Sequence, residues 1–160
     1  MSSSETVEIR PLRPEEHEAV LAILAEPTVL AWWGTVPASL DEQLEDPHAV
    51  LVDGELAGVL DIWQETEPGY EHAGLDISLS ERFQGRGIGR AAIRLAAREC
   101  FEQRGQHRVT IDPAAGNARA IRCYEAAGFR AVGVMREYEQ LPDGTWRDAL
   151  LMDLLPGDLR

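Results

Sequence analysis

Lysine is absent from this sequence: its 15 lysine-plus-arginine positions are all arginine. That removes P-loop nucleotide chemistry and Schiff-base catalysis, because both need a lysine amine. Cysteine is nearly absent too. Cys100 and Cys123 share no CxxC spacing and no Cys/His cluster, so no metal site is expected and two small buried thiols in a reducing compartment are. The four histidines, His17, His48, His72 and His107, are scattered. None falls beside a nucleophile, so a covalent relay has no support. No apolar run approaches the roughly 18 to 20 residues of a membrane span. The opening MSSSETVEIR has neither the basic start nor the apolar core of a signal peptide. The expectation is a cytoplasmic protein without membrane contact.

Positive charge is scarce in one half only. The first 80 residues hold 17 acids against 2 arginines, the last 80 hold 11 against 13, and the net charge is −13. A chain so divided lacks the broad basic face that nucleic acid requires. The asymmetry suits one half meeting a cation and the other an anion. At 160 residues and 44% hydrophobic composition, a single domain over 1–160 with a real core is expected.

Alternation and punctuation predict the order β-α-β-β-β-α-β-α-β-β. Strands are expected at 7–10, 48–52, 56–64, 73–79, 109–111, 131–140 and 146–154, with Asp53-Gly54 and Pro142-Asp143-Gly144 as turns. Helices are expected from Pro14 to about Pro27, over 87–104 and over 117–127. Residues 28–37 read as a loop carrying Trp32 and Trp33, followed by a helical turn at 40–44. This is a mixed α/β architecture around one sheet.

The informative stretch is ERFQGRGIGR, 81–90. Glycines without Cβ let backbone N–H groups approach a phosphate, and a helix N-terminus adds a favourable dipole. A dinucleotide fingerprint from Gly85 would need glycine at 90, where Arg90 stands. Arg86 and Arg90 are placed to reach a pyrophosphate, whereas Arg94 and Arg98, further along the same helix face, read as solvated.

Gln84-Gly85-Arg86-Gly87-Ile88-Gly89 matches the Gln/Arg-x-x-Gly-x-Gly/Ala signature of the GNAT acetyltransferases. NARAIRCYEAAGF, 117–129, resembles that family's Asn-x-x-Ala-x-x-x-Tyr-x-x-x-Gly-Phe helix. Within the family, IDPAAGNARAIRCYEAAGF is most similar to the aminoglycoside 6′-N-acetyltransferases, as are the Trp-Trp-Gly and Gly-Leu-Asp segments. The resemblance implies the acyl-CoA N-acyltransferase fold, one mixed, mostly antiparallel, splayed sheet flanked by helices. It implies acetyl-CoA as co-substrate, bound by Ile77, Ser78, Leu79, Gln84, Gly85, Arg86, Gly87, Ile88, Gly89, Arg90, Asn117 and Ala120. It also implies Tyr124 as general acid.

Asp76, on the polar face of its strand, is the candidate acceptor of the amine's proton or anchor for its ammonium. Asp112, at the end of the next strand, offers a second carboxylate, and Trp32 and Trp33 are candidate walls for the acceptor. Glu65, Glu67 and Glu71 lie in a loop placed to overhang the site. The acceptor so implied is a cationic small-molecule amine, in the first instance an aminoglycoside's 6′-amine, with monomer and homodimer both open. Siderophore-type lysine derivatives and protein N-termini compete as acceptors, and a non-catalytic acyl-CoA-binding module is the reading of a different class.

Overall fold

The computed structural model describes residues 4–160. β1 (Val7–Pro11) pairs antiparallel with β2 (Pro47–Val52), and β2 with β3 (Glu55–Glu65). Asp53 and Gly54 join β2 to β3 at φ 48° and 83°, the left-handed values that a tight two-residue hairpin demands. β4 (His72–Leu79) pairs antiparallel with β3 along its whole length, from Glu65 opposite His72 to Gly58 opposite Leu79. β5 (Val109–Ile111) runs parallel to β4, and the hairpin of β6 (Arg130–Gln140) and β7 (Trp146–Leu154) completes one sheet in the order β1-β2-β3-β4-β5-β7-β6.

Alternation along the strands divides the core between the two faces. Leu60, Ile62 and Leu75 are fully buried with α3 (Ile88–Glu102), which presents Ala92, Ile93, Ala96, Ala97 and Cys100 to the sheet. Val59, on the opposite face, packs with Val20, Ile23, Leu24 and Val29. Those residues belong to α1 (His17–Leu24), which follows a 3₁₀ turn at Pro14–Glu16, and to α2 (Pro27–Trp33). α4 (Ala118–Ala127) packs beside α3 and ends at Gly128, φ 112°. Ile77 and Leu79 pack toward the α3 face, so Asp76 and Ser78 point to the face that carries α2.

The expected elements are present with one correction. Residues 28–37 do not form a loop throughout, because α2 occupies Pro27–Trp33. Pro27 does not stop a helix here; it opens one, its fixed φ and missing N–H suiting the first turn. Gly34, at φ 99°, closes it.

At Gly58 the backbones of β3 and β4 approach closely: a Cβ there would stand 2.1 Å from the Ser78 carbonyl oxygen. That neighbour is backbone and cannot swing aside. Gly58→Ala is therefore expected to destabilise the protein by about 1–3 kcal/mol. Urea unfolding should show a lower midpoint at an unchanged slope.

Candidate active site

The site begins where the sheet opens. β4 and β5 pair only at Ala73 with Val109 and Gly74 with Thr110. Ala73 N–H donates toward β5, to the Arg108 carbonyl at 3.1 Å, whereas Ser80 N–H donates toward β3, to the Ala57 carbonyl at 2.8 Å. Alternation then turns the N–H and C=O of Ile77 and Leu79 toward the missing neighbour. Gln84 Nε2 donates to the Leu79 carbonyl at 2.9 Å. The remaining groups form a short open edge for an extended ligand. A cleft of about 430 Å³ lies on one side of this gap and one of about 270 Å³ on the other. Both are lined by Trp32, Ile77, Ser78, Asn117, Ala120 and Tyr124, so they meet around Tyr124.

The larger cleft takes in the glycine turn. Gly85 and Gly87 have φ 72° and 78°, and Gly87 caps α3 without any side-chain hydrogen bond. The first N–H groups of α3 are thus left for a ligand, at the positive end of the helix dipole. Gln84, Gly85, Gly87, Gly89, Arg90 and Leu79 all line this cleft. Two expected members stand elsewhere. The Arg86 guanidinium pairs with Glu5, donates to the Arg82 carbonyl at 3.1 Å and lies 5.2 Å from the Phe83 ring centroid. Ile88 is buried in the core, which leaves only its backbone to serve. Arg94 is half-buried rather than solvated, and its Nε has no partner among the described residues.

Positive charge reaches the larger cleft instead from Arg119 and Arg122 on α4, with Cys123 beside them. Their i, i+3, i+4 spacing along one helix face was a readable signal. Burial pushes the Cys123 thiol up despite Arg90 and Arg119 nearby. Cys123 is half-buried, whereas Cys100 lies fully in the core.

The smaller cleft is acidic. Asp76, Asp112, Glu139 and Asp148 line it together with Trp33 and Tyr138. Burial pushes the Asp76 carboxyl up to about 7, with smaller contributions from Asp112, Asp61 and Glu139. Burial also raises Asp112, against a hydrogen bond from the Tyr138 hydroxyl. Tyr138 itself is pushed up to about 12, by burial first and then by Asp112. Tyr124 is 8% exposed, and its burial lifts it far above the ordinary phenol value. Trp32 is 45% exposed, while Trp33 packs toward the α1–α2 core and donates from Nε1 to Gln43 Oε1 at 3.1 Å. The Asn117 side-chain oxygen caps α4, accepting from Ala120 N–H at 3.3 Å, so its amide nitrogen is the group left over. Glu65 and Glu71 bond within their own loop, to the N–H groups of Glu67 and Gly69, and line neither cleft.

A splayed sheet with a phosphate-type turn on one side of the gap and clustered carboxylates on the other is the layout of a group-transfer enzyme. The model of the acetyltransferase (GNAT) family matches residues 7–129, and the chain belongs to that family. It is 27% identical to an aminoglycoside N(6′)-acetyltransferase type 1 of Klebsiella pneumoniae, over 89% of this chain and 81% of that one. It is 26% identical to the spermidine N(1)-acetyltransferase of Escherichia coli, over 95% and 87%. The solved structure of an aminoglycoside acetyltransferase with coenzyme A and kanamycin superposes with a TM-score of 0.76 at 24% identity, covering 96% of each chain.

The raised Asp76 carries a stability consequence. Its folded value lies near 7 against 3.8 for a free carboxyl, so between those limits the folded state holds the proton more tightly than the unfolded state. Stability therefore falls as pH rises through that window, and the cost is complete above it. Asp76→Asn should lack this loss. Melting temperatures of variant and parent should nearly agree at pH 4, with the variant ahead by a growing margin up to pH 8.

Proposed function

We propose that the protein transfers the acetyl group of acetyl-CoA directly to a primary amine of a cationic small molecule, with the 6′-amine of an aminoglycoside as the acceptor. The observation that carries this reading is the carboxylate cluster around Asp76, which meets Tyr124 at the junction of the two clefts. The larger cleft fits the donor: left-handed glycines, a bare helix N-terminus and three arginines suit a pyrophosphate, and the open edge of β4 suits the pantetheine arm.

Acetyl-CoA, once bound, supplies a thioester carbon open to attack by an amine. The residues do the rest. Asp112 and Asp148 draw in an ammonium, and Asp76, poised near neutral pH, accepts the proton that the amine must lose. As the nitrogen bonds to the carbonyl carbon and the C–S bond breaks, Tyr124 offers its hydrogen to the departing sulfur. A phenol lifted by burial keeps that hydrogen at neutral pH. Two tryptophans beside the carboxylates favour a sugar-ring acceptor over a plain chain. A polyamine acceptor remains the second reading, supported by the similarity to spermidine acetyltransferase.

Thiol release from acetyl-CoA should appear with kanamycin and fall away with an analogue bearing a 6′-hydroxyl. Turnover with spermidine alone would move the assignment to polyamines, and turnover with no amine would sink the enzymatic reading in favour of an acyl-CoA-binding module. In the active protein, Asp76→Asn should lower kcat/KM by about 10²–10⁴-fold and remove the pH limb near 7. Coenzyme A affinity should hardly move; equal losses in both would make Asp76 structural. Tyr124→Phe should reduce kcat with the acceptor KM retained, and an unchanged kcat would remove Tyr124 from the chemistry.

A further inference from the structure

Arg147 is the one cation lining the acidic cleft among the described residues. It lies in β7 with its side chain 16% exposed, and it spans the cleft. Nε donates to Glu139 Oε1 at 2.8 Å, and Nη2 pairs with the same carboxylate. Nη1 donates to the Ala31 carbonyl at 3.0 Å and Nη2 to the Trp32 carbonyl at 2.8 Å. Cζ sits 5.8 Å from the centroid of the Trp32 ring.

Each contact has a physical reason. The last turn of α2 leaves carbonyls without helical partners, and a cation at that end also meets the negative pole of the helix dipole. The planar fork of a guanidinium can serve two carbonyls and a carboxylate together, which a lysine ammonium cannot match. Arg147 thus ties one wall of the cleft, α2 with Trp32, to the other, the β6–β7 hairpin. It does so by occupying Glu139.

That occupation bears on which amines the cleft prefers. A singly charged amine needs only the carboxylates at Asp76 and Asp112. A second ammonium on the same molecule would find Glu139 already neutralised, leaving Asp148 as the one further carboxylate of the cleft. We propose that Arg147 is a specificity-determining residue of the acceptor cleft: its guanidinium fills the cation position at Glu139 and so limits the preference for polycationic over singly charged amines. The proposal rests on the acceptor assignment above.

The test compares kanamycin with methyl 6-amino-6-deoxyglucoside, which carries one amine, on the parent protein, Arg147→Gln and Arg147→Lys. Calorimetric dissociation constants are measured with coenzyme A present, and kcat/KM with acetyl-CoA. The ratio between the two acceptors is unaffected by any fraction of protein that fails to fold. Arg147→Gln frees Glu139 and should raise the preference for kanamycin by about tenfold, the worth of one charge-assisted hydrogen bond. Arg147→Lys keeps a positive charge at Glu139 while losing the α2 carbonyls, so both acceptors should weaken together at the parental ratio. A parental ratio in Arg147→Gln, or a rise of the same size in Arg147→Lys, would overturn the proposal and reduce Arg147 to a structural tie. Charge-dependent binding without turnover would instead retain the role of Arg147 and remove the catalytic reading. Failure of both amines to bind any of the three proteins would overturn both.

Discussion

Everything in the site depends on how little of β5 pairs with β4. The chain runs beside β4 for two residue pairs only, then leaves it. Asp112-Pro113 ends the strand, and proline has no N–H to extend a ladder. Beyond it the backbone bonds to the other neighbour: Leu150 N–H donates to the Pro113 carbonyl at 2.8 Å, and Ala115 N–H to the Asp148 carbonyl at 2.9 Å. The polar groups that a closed sheet would use are thus satisfied on the β7 side, while those of Ile77 and the N–H of Leu79 are left open on β4. An edge strand in the middle of a sheet would ordinarily invite pairing with any passing chain. Here residues of α2 and α4 flank it in the larger cleft.

The gap also explains the electrostatics. Asp61 and Asp76 are direct cross-strand partners on one face, and yet they differ. Asp61 accepts backbone N–H groups of Asp46 and Glu45, at 2.8 and 3.2 Å, as a buried carboxylate should. Asp76, next to the opening, receives no hydrogen bond that would hold it ionised; burial and neighbouring acids act on it alone. One acid is therefore held by backbone donors within the framework, and the other faces the cleft. A carboxyl whose ionisation burial opposes costs stability above its titration, a cost that a well-packed apolar interior avoids.

β1 and β4 were legible by the alternation in VEIR and LDISLS, β2 and β3 by the Asp53-Gly54 turn between them, and the glycine turn because its residue types are needed in place. What stayed hidden has identifiable causes. α2 is too short to show helical periodicity, and its proline has two opposite meanings. Arg86 and Ile88 sit inside the recognisable motif, but a motif specifies backbone shape better than it specifies where each side chain goes. Tyr138 and Glu139 are adjacent, and in a regular strand adjacent side chains face opposite ways. A register shift between Met135 and Glu139, with Glu137 at φ 48°, breaks that rule and lets both line the cleft. Arg147 reaches carbonyls more than a hundred residues away in sequence, and no local pattern encodes such a meeting.

The uneven charge of the two halves works differently from a simple division of labour. Of the acids in the smaller cleft, only Asp76 comes from the first half; Asp112, Glu139 and Asp148 come from the second, as do all the arginines of the larger cleft. Several first-half acids are spent on surface pairs such as Glu16 with Arg10, Glu55 with Arg82 and Glu5 with Arg86. Short-range recognition therefore depends on a few residues gathered by the sheet opening. The remaining excess of negative charge acts at longer range, concentrating cations near the protein within about a Debye length, ~10 Å at moderate salt. Acidic and arginine-bearing clefts thus lie side by side, and the opening between β4 and β5 is where they meet.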